Sequence, residues 1–163
     1  MHDKHYYESE LGKYSLRISS RAVNIDIDFE VLGKRIDEAQ FALDQQVWND
    51  MQQYMPFADG NLIRQTDLLN MVAAGTGEVH IYDPTVEYAH YMYEGIVYVD
   101  PVYKVGGFFS PDYGFWSRKD VTKIPSDRHL EYTKEEAVPH WDEVAIRNHA
   151  QDWLKLVKDV IEG

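Results

Sequence analysis

The chain is 163 residues long with 44% hydrophobic and 27% charged side chains, which fits one domain that can bury a core without cross-links. It holds no cysteine, so disulfides and thiolate metal centres are excluded, and 28 acidic against 16 basic residues give a formal charge of -12 that disfavours direct binding to a phosphate backbone. No apolar run approaches the roughly 20 residues of a membrane span, and the opening Met1-His-Asp-Lys-His-Tyr-Tyr7 has no apolar core like a secretory leader, so the expectation is a chain soluble where it is made, with no membrane partner.

Residues 1–27 read as an N-terminal extension or short strands, because Leu16, Ile18, Val23, Ile25 and Ile27 alternate only partly with polar neighbours. From about Phe29 the period changes. Leu32, Ile36, Ala39, Leu43, Val47, Met51 and Tyr54 fall three or four apart and predict one face of a helix, with Asp28 as N-cap and Pro56 as terminator. Lys34, Asp37, Asp44, Gln45 and Asn49 fall on its solvated side.

A strand-rich middle is expected next. Asp59-Gly60 marks a turn, Leu62 to Val72 continues from it, and Gly75-Thr76-Gly77 reads as a hairpin turn with Glu78 to Tyr82 as the alternating return strand. Val86 to Glu94 predicts a short helix closed by Gly95, followed by a strand at Ile96–Val99. From about 100 to 133 there is little periodicity, and Pro and Gly punctuate a long aromatic loop of the kind that is usually functional. The last helix carries Trp141, Ala145, His149, Trp153, Leu156 and Val160 on one stripe with Ile146, Ala150, Leu154, Val157 and Ile161 beside it, and Pro139 in its first turn. So wide a stripe predicts packing on the sheet and on the first helix. The expected fold is α+β: residues 28–163 form a single domain in which a small, mainly antiparallel sheet packs against a long helix in the N-terminal half and a C-terminal helix.

Catalytic signals are sparse. Glu87-x-x-His90 has metal-ligand spacing, but a di-iron bundle needs a second such pair and further carboxylates, and this chain has no second copy. His80 reads as a sheet-face residue and His149 as a core-edge histidine bonded to a carbonyl. No Gly-x-Ser-x-Gly elbow, phosphate-binding glycine loop or His-Glu-x-x-His helix is present. The expectation is no cofactor, no metal and no enzyme. The basic cluster Arg118-Lys119, Lys123 and Arg128 is interrupted by Asp120 and Asp127, so no specific nucleic-acid partner is expected. Tyrosine pairs a large apolar ring with a polar tip and few torsions to freeze. Tyr91 and Tyr93, with Phe108, Phe109, Tyr113, Phe115 and Trp116 of the loop, are the candidate subunit interface. Two alternatives stand beside it: a carbohydrate- or peptide-binding module built on the loop, and a small carboxylate-dependent glycoside hydrolase.

The order of motifs adds a resemblance. Gln40-Phe-Ala-Leu43, Asp50, Tyr54-Met-Pro56, Gly60-Asn-Leu62, Tyr82-Asp-Pro84, Tyr88-Ala89, Tyr93-Glu-Gly95 and Val99-Asp-Pro101 are followed by Leu130-Glu-Tyr-Thr133, Trp141-Asp142 and His149-Ala-Gln-Asp-Trp153. Over roughly residues 28–160 this string resembles the minor capsid protein family of tailed bacteriophages and prophages of Gram-positive bacteria. It is also similar to the head-tail joining and tail-completion proteins of siphophages. The resemblance implies a small α+β structural subunit of the virion, present in the host cytoplasm during assembly. Its implied partners are copies of itself in a ring and neighbouring neck or tail proteins.

Overall fold

The computed structural model describes residues 15–19 and 24–163. Strand β1 (Ser15–Ser19) pairs antiparallel with β2 (Asn24–Asp28), from Ser15 opposite Asp28 to Ser19 opposite Asn24, and Asp28, expected as the N-cap of the first helix, closes β2. The rest of residues 1–27, Val23 included, lies outside the described residues.

Helix α1 (Phe29–Gln52) follows the apolar period, with Ala39, Trp48 and Met51 buried and Leu43 and Val47 against the same core. Its end tightens into short turns, Tyr54 N–H to Met51 O at 3.1 Å and Met55 N–H to Gln52 O at 3.2 Å, ahead of Pro56. Asp44 is buried, not solvated as expected. Its carboxylate accepts the backbone N–H groups of Gly75 at 2.8 Å and Gly77 at 3.0 Å, and the amide of Gln40 at 2.7 Å.

The stretch expected to be strands is a helix, α2 (Asn61–Ala73). Its inward positions are Leu62, Thr66, Asn70 and Ala73, spaced as one helix face, and two of these four are polar. Thr66 Oγ1 donates to Leu62 O at 2.8 Å and accepts the N–H of Asp83 at 3.0 Å, while Asn70 donates to His80 O and accepts the N–H of His80. Those bonds satisfy the backbone of His80 without a ladder. Residues 78–82 are therefore an irregular connection that bends at Ile81 and Tyr82, not a return strand, and Gly75–Gly77 turns the end of α2 instead of closing a hairpin.

Helix α3 (Ala89–Glu94) ends where expected: Gly95 takes the left-handed conformation at φ 67° and its N–H returns to Tyr91 O at 3.0 Å. Strand β3 (Ile96–Val99) then pairs antiparallel, through an irregular register, with β6 (Ile124–His129). Inside the nominal loop lies a second ribbon, β4 (Phe108–Ser110) with β5 (Gly114–Trp116). Among the described residues the β content is three separate two-stranded antiparallel ribbons.

Helix α4 (Trp141–Glu162) begins one residue after Pro139, at the N-cap His140 with φ 51°, so Pro139 precedes the helix instead of occupying its first turn. It runs antiparallel to α1: Arg35 donates to Ile161 O at one end, Trp153 Nε1 to Asp50 Oδ2 in the middle, and Val138 N–H to Tyr54 O at the other. The helix pair is the principal packing of α4, and Ile146 and Leu154 on the wide stripe remain exposed. Trp48, Met51, Met55, Leu62, Val86, Ala89, Trp141, Ala145 and Trp153 form one core in which α1, α2, α3 and α4 meet, a mixed α+β domain.

Candidate functional site

Side chains β4 and β5 alternate across their ribbon, and the pairs Phe108 opposite Trp116 and Phe109 opposite Phe115 put two rings on each face. The first face is anchored. Phe108 stacks on Trp116 with centroids 4.7 Å apart and meets the Tyr103 ring edge-on at 5.3 Å, and the Arg118 guanidinium lies 5.1 Å from the Tyr103 centroid. The second face is open. Phe109 and Phe115 tilt against each other at 5.1 Å yet stay 66% and 85% exposed, and Tyr113 at the tip is also 85% exposed.

What holds this ribbon is the buried carboxylate of Asp100, placed just beyond β3. It accepts the backbone N–H groups of Val102 at 2.8 Å and Tyr103 at 3.0 Å, and takes Arg118 Nε and Nη2 as a fork, both at 2.7 Å. Arg118, and then these amides, stabilise the ionised form and hold Asp100 well below the usual carboxylate range, while Asp100 raises Arg118 in turn. Lys123 donates to Gly106 O and closes the base of the ribbon from the other side. The rings therefore project from a braced stem.

The structure separates the two tyrosines expected to join this surface. Tyr91, on α3, is partly exposed and meets Tyr98 edge-on at 4.8 Å. Tyr93 turns inward, against Trp141 at 5.1 Å and stacked on His140 at 4.7 Å, and its hydroxyl donates to Asp142 at 2.9 Å. Burial, then that bond to a carboxylate, raises the Tyr93 phenol. It is partly buried and packs against the core.

The carboxylate most exposed to catalytic interpretation is Asp50, buried between α1 and α4. It accepts Trp153 Nε1 at 2.7 Å and the amides of Gln46 and Gln53, and His149 Nδ1 lies 3.9 Å away, beyond hydrogen-bond reach. His149 Nε2 meets the Tyr54 hydroxyl at 3.0 Å, not a backbone carbonyl as expected, and Asn148 donates to the same hydroxyl. The group is a hydrogen-bonded joint between two helices. His80 is likewise bound through its backbone to Asn70 and sits on no sheet face. Among the described residues no cluster of His, Asp or Glu could hold a metal ion. The groove beside β6 is lined by Val99, Lys104, Ile124, Pro125, Ser126, Asp127 and Arg128, with a single carboxylate.

Sequence reasoning found the aromatic residues but missed their scaffold. The signal was present: Pro111-Asp112-Tyr113 is a three-residue hairpin loop closed by Gly114, left-handed at φ 70°, between two aromatic runs. The motifs carrying the resemblance mostly fall on joints of the fold, such as Asp50 with Trp153, Tyr54 with His149, Tyr93 with Asp142, and Asp100 with Arg118. Comparison with protein-family models, with curated proteins and with solved structures finds no match for this chain.

Proposed function

We propose that the chain is a non-catalytic assembly subunit that docks onto other polypeptides through the open face and tip of the β4–β5 ribbon. Its setting, on the strength of the motif order, is the head-tail neck of a tailed phage or prophage, as a minor capsid, connector or tail-completion protein. The observation that carries the reading is the exposure of Phe109, Tyr113 and Phe115 on a stem braced by Asp100 and Arg118. Burying such rings contributes roughly 1.5–3 kcal/mol each, and the brace reduces the ordering entropy that docking would otherwise cost.

The same geometry weighs against the alternatives. Sugar platforms set several converging polar groups beside the stacking ring, whereas the open face here is two phenyl rings, with the Asp112 carboxylate and Tyr113 hydroxyl exposed only at the tip. A glycosidase needs two carboxylates about 5–10 Å apart, and the groove beside β6 offers only Asp127.

The test is the variant with Phe109, Tyr113 and Phe115 all changed to Ser, produced alongside the complete set of structural proteins of the phage or prophage encoding it. The parent chain should copurify with the particles and the variant should not, with equal far-ultraviolet circular dichroism for both. Entry of the variant at the parent level, or absence of the parent from particles, would overturn the reading. Ring-dependent retention on peptidoglycan instead would favour carbohydrate binding.

A further inference from the structure

Asp59 is the only Asp or Asn of the chain that is followed by glycine. The pair matters because the backbone nitrogen of the next residue can attack an aspartyl carboxyl group, and a side chain on that residue obstructs the approach. Glycine offers no such obstruction. Asp83 and Asp100 are followed by proline, which has no N–H to react. Asp44, Asp50 and Asp67 stand inside helices, where the next amide is already tied to a carbonyl one turn back.

The fold leaves this one pair accessible. Asp59 is exposed in the connection between α1 and α2, so water reaches it. Its Oδ1 accepts the Asn61 N–H at 2.9 Å, which turns the carboxyl group forward along the chain, past the Gly60 amide that lies between them. The Gly60 N–H itself has no acceptor among the described residues. Gly60 is left-handed at φ 77°, and a Cβ there would start 2.9 Å from the Phe57 ring, so the native turn requires the very residue that leaves the nitrogen unobstructed.

We propose that Asp59-Gly60 is a modification site of the folded protein, at which the backbone isomerises spontaneously. The Gly60 nitrogen loses its proton and bonds to the Asp59 carboxyl carbon, while one carboxyl oxygen leaves as water, taking that proton and one from solvent. A cyclic imide results. Water then reopens the ring. Breaking the bond from nitrogen to the side-chain carbon restores aspartate, whereas breaking the bond from nitrogen to the main-chain carbonyl carbon leaves Gly60 joined through the side chain, an isoaspartyl linkage. Water is the only co-reactant. The product adds a methylene to the main chain just before α2 and takes away the carboxylate that holds the Asn61 N–H, so the start of α2 loosens as the protein ages. The site lies outside the β4–β5 ribbon, and the inference stands apart from the assembly reading.

The test keeps the full chain folded at neutral pH for several weeks in water enriched in heavy oxygen, because each reopening of the imide leaves one solvent oxygen behind. Digestion in ordinary water and fragmentation by mass spectrometry then place the label. It should accumulate at Asp59 ahead of every other aspartate, together with an isoaspartyl form of the same peptide, and the aged protein should unfold at a lower urea midpoint than the fresh one. Asp59→Ser keeps a side-chain oxygen for the Asn61 N–H but has no carboxyl carbon to attack. That variant should lose both the isoaspartyl peptide and the ageing shift. A parent sample unfolded in guanidinium gives the reaction without the fold. Label at Asp59 in the unfolded sample and none in the folded one would show that the native turn holds carboxyl and amide apart, and would overturn the proposal. So would the absence of label from both samples, or a folded chain that isomerises first at another residue.

Discussion

Gly95 shows how one residue joins three elements. It ends α3 in the left-handed region, accepts the Leu130 N–H at 2.9 Å where the β6 ribbon ends, and faces the approach to α4. A side chain there would start 2.7 Å from Pro139 Cβ and 3.0 Å from the Tyr132 hydroxyl. Gly95→Ala therefore combines left-handed strain of about 1–2 kcal/mol with overpacking of about 1–3 kcal/mol. A loss of roughly 2–5 kcal/mol is expected, read as a lower urea midpoint at unchanged slope. A loss within experimental error would mean that the Pro139 segment moves aside freely and does not position α4.

At the scale of elements, what could be read in the sequence depended on whether inward positions were apolar. Helices α1 and α4 bury Ala39, Trp48, Met51, Trp141, Ala145 and Trp153 at helical spacing, so their period was visible. Helix α2 reverses that rule. It turns Thr66 and Asn70 inward, where they satisfy Asp83 and His80, and leaves Leu68, Met71 and Val72 outside, so its hydrophobic pattern pointed away from its fold. The aromatic residues of the site were legible for their chemistry. Their brace was not, because Asp100 and Arg118 lie 18 residues apart and nothing local announces the pair. The ribbon also contributes no residue to the buried core. Deleting residues 105 to 117 should thus preserve helix content by circular dichroism and cost only the roughly 1–3 kcal/mol of groups left unpaired around Asp100 and Tyr103, while abolishing association. Collapse of the helical signal would show that the ribbon is a satellite of the core and not a docking device.

For the whole molecule, the perturbed groups set the pH range of stability from two sides. Asp100 is lowered by Arg118, and Asp83 is lowered chiefly by the Thr85 hydroxyl and amide. Their folded values lie below the ordinary Asp value of about 3.9, so the stability they contribute is fully present above that value and is lost as pH falls through the folded values. Tyr93, raised by burial and by Asp142, and Tyr132, raised by burial, act in the opposite sense. Their contribution is fully present below about pH 10 and is lost as pH rises through the folded values. Relief of repulsion among 28 acidic side chains works against the acid loss. The parent curve alone therefore mixes the two effects, and the difference between variant and parent isolates each group. In urea titrations from pH 3 to 11, Asp100→Asn should be less stable than the parent at pH 7, and the gap should close as pH falls. Tyr93→Phe should show its gap at neutral pH, and the gap should begin to narrow above about pH 10. A gap for Asp100→Asn that stays constant down to pH 3 would mean that the carboxylate gains nothing from Arg118 beyond what the neutral amide retains, and the brace under the aromatic ribbon would then be one of shape and not of charge.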